Sequence, residues 1–309
     1  MKAVGQFLAY IVVRAIFGLL ALLPQGARIS FFRGLFAAAV RVVPRLRKIS
    51  MRNLELAFPD RDETWRREMF SKSLTEMSRL LADTVRLPSL GAAWAREHVT
   101  CDFLPQYAAK LAEPGGKGWL IATGHLGSFE LLGHTIGLFG YPLSAVARKF
   151  RNPMLDRWWT RLREGSGNTI VDRRGAFKAM VSNVEAGRSV AVLFDQNVTR
   201  NYAVYPLWFG VPAATTRALA LAAVKTQAPL VVASMRYRGD DRYSIEAREC
   251  DCSDVYRDEL ASSDEKVIRI TQRLSDIYCE MISEFPEGWF WLHRRWATRP
   301  DESEPSVYR

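Results

Sequence analysis

Cysteine is sparse in this chain. Cys101, Cys250, Cys252 and Cys279 are the full complement, and they form neither a C-x-x-C pair nor a dense framework. A disulfide scaffold and a structural zinc ribbon are therefore excluded, and a reducing compartment fits. Internal repeats and low-complexity tracts are also missing. No helix-turn-helix, zinc-finger or RNP signature occurs, so nucleic acid is not an expected partner. With 48% apolar and 25% charged residues in 309, the chain is neither disordered nor a multi-span membrane protein. Acidic side chains are nearly absent from residues 1–57, where only Glu55 opposes Lys2, Arg14, Arg28, Arg33, Arg41, Arg45, Arg47, Lys48 and Arg52. The net charge of +10 is thus concentrated in a segment that is also apolar. Basic plus apolar points to an anionic membrane surface.

The longest apolar run, Phe7–Leu23, has 17 residues with Arg14 near its middle. That is the short limit for a bilayer span, roughly 17–25 residues. Its apolar gain only just exceeds the cost of a central arginine. Either a marginal span or insertion into one leaflet with Arg14 snorkelling is expected. Arg14 and the lack of a small-x-small site argue against a cleaved signal peptide. Ile29, Phe32, Phe36, Ala39, Val40 and Val43 recur at helical spacing, which predicts an amphipathic interfacial helix ended by Pro44. The expected organisation is a membrane-embedded helix at 1–25 and a basic amphipathic segment at 26–58. An α/β domain at 59–300 and a loose polar tail at 301–309 follow. If the first helix spans, the positive residues on its C-terminal side put the remainder in the cytoplasm.

A charged helical pattern covers Asp60–Leu87. After Pro114-Gly115-Gly116, short apolar runs alternate with helical ones. Strands are predicted at Trp119–Thr123, Leu143–Ala147, Thr169–Val171, Ser189–Phe194, Leu230–Met235 and Tyr243–Ala247. Helices are predicted at Phe129–Leu138, Pro153–Glu164, Ala176–Glu185, Thr215–Thr226 and Glu265–Ser283. The fold class is α/β: a mixed sheet covered by helices, with an N-terminal membrane-anchoring helix.

Chemistry concentrates in Ala122-Thr123-Gly124-His125-Leu126-Gly127-Ser128-Phe129-Glu130. His125 falls between a strand's carboxyl end and a helix start, where α/β sheets bind ligands. The positive end of the helix favours a neutral imidazole, as a general base requires. Glu130, five residues on, can fold back to accept the other ring N–H and balance the imidazolium. Gly124 and Gly127 allow a substrate close to the backbone. The motif alone leaves a plain helix-capping histidine open. Zinc is not expected, because His134 falls on the opposite helix face and no further ligand lies nearby. Ser128 lacks a G-x-S-x-G elbow, which argues against a serine hydrolase.

Further blocks share an order and spacing. They are NLELAFP (Asn53–Pro59), Arg151-Asn152-Pro153, Arg161-Leu162-Arg163, Val171–Arg174, Asp195, Trp208-Phe209-Gly210, Ala214-Thr215-Thr216 and Trp289–Trp296 with Thr298-Arg299-Pro300. Together with the His125–Glu130 block, they make the chain resemble the bacterial lipid A biosynthesis acyltransferases, the lauroyl and myristoyl transferases of the lysophospholipid acyltransferase superfamily. The resemblance covers most of the chain. It implies transfer of a fatty acyl group from a thioester, usually on acyl carrier protein, to a lipid hydroxyl. His125 would act as base and Glu130 as its support.

The resemblance implies no cofactor or metal, since acyl carrier protein or coenzyme A carries the donor substrate. It also implies acyl carrier protein, an anionic glycolipid acceptor and membrane lipids as partners, at the cytoplasmic face of a bacterial inner membrane. Arg161 or Arg163 matches a family arginine, the alternative being a solvated helix face. Arg148, Lys149 and Arg151 would meet acceptor phosphates or the acidic carrier. Asp195 would orient an arginine or a sugar hydroxyl, or cap a turn. Phe209-Gly210 and Ala213–Val224 would wall an acyl tunnel, or simply pack. His293, among Trp and Arg, is read as packing and headgroup anchoring. The oxyanion would need backbone N–H groups near Gly127 or an arginine. DQNVTRN departs from the more acidic version of the best-known lipid A enzymes, which leaves another glycolipid or a lysophospholipid open as acceptor. A non-catalytic lipid-binding module is the alternative of a different class.

Overall fold

The computed structural model describes residues 2–308; Met1 and Arg309, the outer ends of the expected anchor and tail, lie outside the described residues. Four helices come first: α1 (Lys2–Ala21), α2 (Gln25–Val42), α3 (Pro44–Ala57) and α4 (Glu63–Arg86). Then follow α5 (Ala92–His98), β1 (Val99–Thr100), α6 (Leu104–Ala112), β2 (Leu120–Thr123), α7 (Phe129–Leu138), β3 (Ser144–Ala147), α8 (Pro153–Glu164), β4 (Thr169–Asp172), α9 (Ala176–Glu185) and β5 (Val190–Leu193). Four two-residue strands, β6 (Ala203–Val204), β7 (Leu207–Trp208), β8 (Val211–Pro212) and β9 (Thr215–Thr216), precede α10 (Ala218–Thr226). The chain ends with β10 (Leu230–Gly239), β11 (Arg242–Glu249), α11 (Ser253–Arg257), α12 (Ser263–Glu284) and an irregular C-terminal strap.

Seven strands form one mixed sheet in the order β1-β11-β10-β2-β5-β3-β4. Only β10 and β11 run antiparallel. The two-residue period of a strand divides the sheet's side chains between two cores. Leu120, Ala122, Val190, Val192, Leu230 and Val232 face the core shared with α9, α10 and α12. Ile121, Ala191, Val231 and Ala233 face the core that includes Leu131, Leu132 and Leu162 from α7 and α8. Burial on both faces is why the central strands read as continuous apolar runs.

Helix limits follow local chemistry. The Asp62 side chain accepts the Trp65 N–H at the start of α4, and a Ser262–Glu265 capping box opens α12. Each cap contributes about 1 kcal/mol. Helix α2 stops at Val42, just before Pro44, as expected, but Pro44 also opens a further helix. It occupies the first turn of α3, where its missing N–H costs nothing. Through Leu54 and Ala57, α3 joins the main core. Thr215 and Thr216 pair with Ala203 and Val204, so α10 begins later than predicted.

The C-terminal residues also differ from expectation. The Tyr308 hydroxyl donates to Asn53 Oδ1 at 2.6 Å and accepts the Trp296 N–H at 3.0 Å, which docks the tail. Trp289, Trp291, Arg295 and Trp296 are buried, so this segment packs the molecule rather than facing headgroups. Ala213–Val224 largely packs into the core between α9 and α12. Among the described residues, one helical stretch, Ala3–Ala21, is long and apolar enough to cross a membrane by length and composition.

Candidate active site

The site turn joins the end of β2 to the start of α7. Its geometry depends on two glycines, for a reason other than substrate approach. A Cβ on Gly124 would fall 2.4 Å from Tyr278 Oη and 2.5 Å from Asp195 Cγ. A Cβ on Gly127, at φ +66°, would fall 1.8 Å from the Met235 carbonyl oxygen. The glycines let Asp195 and β10 close onto the turn.

Asp195 follows Phe194 just beyond β5, the strand paired with β2. One carboxylate oxygen receives the His125 Nδ1–H at 2.9 Å. The other accepts the His125 backbone N–H at 2.8 Å and the Trp289 indole N–H at 2.9 Å. Burial pushes the Asp195 carboxyl up, but its pairing with His125 and these hydrogen bonds outweigh it and hold the group below the usual carboxylate range. An ionised acceptor fixes the imidazole as the Nδ1–H tautomer. The Nε2 lone pair then faces the Gln196 amide nitrogen at 3.2 Å. Phe129 and Phe290 flank the ring at centroid distances of 4.8 and 5.8 Å.

The expected contact between Glu130 and the ring is not made. Glu130, in the first turn of α7, instead takes two prongs of Arg163 from the last turn of α8. Arg163 Nε lies 2.9 Å from Oε2, and Nη2 lies 2.5 Å from Oε1. Glu130 begins a helix that runs away from His125, and the fork of Arg163 satisfies both of its oxygens. Asp195, from a strand distant in sequence, is the group that fixes His125. The sequence marked Asp195 as polar and well placed, but gave no sign of which side chain it meets.

Arg163 is thus separated from Arg161, which is exposed and makes no ion pair among the described residues. Arg148, Lys149, Arg157, Arg161 and Arg163 line a cavity of about 290 Å³ beside α8. Arg151 lies outside it, and its carbonyl oxygen accepts from Gln6. A larger groove of about 640 Å³, between residues 207–210 and α12, is lined by Phe209 and Gly210 but by none of the candidate catalytic or basic residues.

The backbone donors expected for an oxyanion are committed elsewhere. Gly127 N–H binds the Gly288 carbonyl and Ser128 N–H the Met235 carbonyl. Asp83 of α4 was missed in the sequence. Fully buried, it accepts the Ser128 hydroxyl at 2.5 Å, the Tyr243 hydroxyl at 2.8 Å and the Gln25 amide at 2.8 Å. Burial raises the Asp83 carboxyl despite these bonds and nearby Arg86. The residue ties α2 and β11 to the start of α7. His293 accepts the Asn197 N–H through Nε2, and burial pushes its pKa down to about 4. A half-buried acceptor imidazole held by a backbone N–H fits the packing role expected of it. No cluster of three or more His, Cys, Asp or Glu side chains suited to a metal occurs among the described residues.

The family model of the bacterial lipid A biosynthesis acyltransferases matches residues 1–298. The chain is 29% identical to the lipid A biosynthesis lauroyltransferase of Escherichia coli, over 89% of this chain and 86% of that one. It is 27% identical to a lipid A biosynthesis acyltransferase of Haemophilus influenzae, over 87% and 83%. It is 25% identical to the lipid A biosynthesis palmitoleoyltransferase of E. coli, over 88% and 85%. The match runs from α1 through the His125 turn and into the C-terminal strap, and on that extent this acyltransferase belongs to the bacterial lipid A biosynthesis acyltransferase family.

Proposed function

We propose that the protein transfers a fatty acyl group from an acyl thioester, carried on acyl carrier protein, to a hydroxyl of a lipid A precursor at the membrane. The observation that carries the mechanism is the His125–Asp195 pair, with Nε2 left as the basic atom. The acceptor hydroxyl gives its proton to Nε2 as its oxygen attacks the thioester carbonyl carbon. Asp195 stabilises the imidazolium through Nδ1. The tetrahedral intermediate then expels sulfur, and the proton on Nε2 passes to the departing thiolate. No acyl-enzyme forms.

Gln196 lies where the acceptor hydroxyl must arrive, so its amide yields that place to substrate and becomes a donor for the oxyanion. Glu130 acts through Arg163, which it aims along the edge of the site. Arg148, Arg161 and Arg163 line the basic cavity and suit phosphates of an anionic glycolipid or of the donor's prosthetic arm. Arg151, outside the cavity, suits the acidic surface of a carrier protein. The apolar α1 and the basic first helices support attachment to an anionic membrane surface, and a donor on acyl carrier protein puts the enzyme on the cytoplasmic face of the inner membrane.

The test is lipid mass spectrometry in a host lacking its own late lipid A acyltransferases. The wild-type gene should add one acyl chain to lipid A, and His125→Ala should lower that rate by about 10²–10⁴. An acyl chain gained on a different lipid would keep the chemistry and move the acceptor. No lipid change despite full expression and matched donor supply would reject the enzyme reading.

A further inference from the structure

Helix α1 has two unlike faces. Gln6, Tyr10, Val13, Phe17 and Leu20, at four-and-three spacing, turn inward. They meet the domain along the helix's length. Near one end, the Gln6 carbonyl accepts from Asn152 at 2.7 Å. In the second half, Phe17 meets Trp158 and Trp159 of α8 edge-on at 4.9 and 5.8 Å. Toward the other end, Leu20 is buried with Phe32, Ala82 and Val85. Arg14 is exposed, and its guanidinium lies over the Trp158 ring of α8 at 5.2 Å. The other face, including Phe7, Leu8, Ile11, Val12, Ile16 and Leu19, is exposed.

A crossing orientation conflicts with these contacts. Gln6 to Leu20 covers roughly 21 Å of helix, most of a hydrocarbon core about 30 Å thick. If α1 crossed, α8 beside it would enter the hydrocarbon with Arg157 and Arg161 exposed. Helix α2 extends the apolar surface through Phe31, Leu35 and Val42. The Arg28 guanidinium fastens the two helices, donating to the Leu20 and Leu23 carbonyls at 3.0 and 2.9 Å. Arg33, Arg41, Arg45, Arg47 and Lys48 are exposed and make no ion pair among the described residues.

We infer that α1 does not cross the membrane: α1 and α2 lie in one leaflet of an anionic bilayer, parallel to its surface. The leaflet covers the apolar face, and the basic side chains meet its headgroups. This orientation sets α8, with Arg163, at the depth where a lipid's headgroup hydroxyls lie. The inference deepens the membrane-bound reading above and rests on it, but its test contains no acyl-transfer step.

The test is thiol labelling of full-length Gly5→Cys in spheroplasts with a membrane-impermeant maleimide. A Cβ at Gly5 meets nothing within 4 Å, so the change carries no steric cost. Partly exposed Cys101 reports the side on which the domain lies. The introduced thiol should never react from the side opposite Cys101, and should react once detergent removes the lipid. Reaction from the opposite side would mean that α1 spans and would overturn the inference. Protection persisting in detergent would put a protein partner on this face and overturn it as well. A second variant, Leu8→Arg, should weaken partition of the purified protein onto phosphatidylglycerol vesicles at least tenfold, with an unchanged melting point in detergent. Unchanged partition would likewise overturn the assignment.

Discussion

Three side chains around His125 make separable contributions. Asp195 binds the ring, Gln196 faces the reactive nitrogen, and Glu130 reaches the site only through Arg163. Asp195→Asn keeps the shape but replaces an ionised acceptor with an amide that can stabilise the wrong tautomer. It should lower kcat by roughly 10²–10⁴ with little change in KM. Glu130→Gln and Arg163→Gln should each cost activity, and the double variant should be no worse than the poorer single one, because both break one contact. Steady-state kinetics on the four forms checks this. Additive losses, or a shifted pH–rate profile for Glu130→Gln alone, would mean that Glu130 acts on His125 directly. Gln196→Glu would put a like charge beside Asp195 and an acceptor where the oxyanion forms, so kcat should fall more than for Gln196→Ala.

The elements that form the site were legible to different degrees. The bounds of α7, α8 and α9 follow from the sequence because Asn152 with Pro153 and the flanking glycines punctuate a clear helical period. Strands β2, β3, β4, β5, β10 and β11 were legible as apolar runs between turn residues. The two-residue strands β6–β9 were not, since pairs that short have no period. The His125 turn was legible as a location, but its partners were not. Contacts such as Asp195 with His125 depend on β5 lying beside β2, an order no local pattern encodes. Gly124 and Gly133 make the difference measurable. Gly124→Ala drives a methyl into Asp195 and Tyr278 and should destabilise by about 1–3 kcal/mol while reducing activity. Gly133 lies inside α7 with nothing within 4 Å of an added Cβ, so Gly133→Ala should raise stability by up to about 1 kcal/mol. Melting points of the two purified variants test both signs.

Across the molecule, the C-terminal strap ties the first helices to the reaction centre. Asn53 of α3 donates to the Trp291 and His293 carbonyls at 2.7 Å. Phe290 N–H binds the His125 carbonyl, and Arg295 is buried against the Ala214 carbonyl, the Thr215 hydroxyl and the Trp208 ring. His293 joins this strap to Asn197, two residues after Asp195, but only while its Nε2 is unprotonated. Its pKa is about 4 when folded, against an ordinary value of about 6.5 in the unfolded chain. Between those values the unfolded chain takes up a proton that the folded one refuses. This part of the stability is therefore present above about pH 6.5 and is lost as pH falls toward 4, by up to ~3 kcal/mol. His293→Gln keeps an acceptor for Asn197 but does not titrate. The stability difference between wild type and His293→Gln, measured by denaturation in detergent, should shift by about that amount in favour of the variant from pH 7 to pH 4. A difference that stays constant with pH would show that His293 titrates normally and that the strap does not hold it neutral.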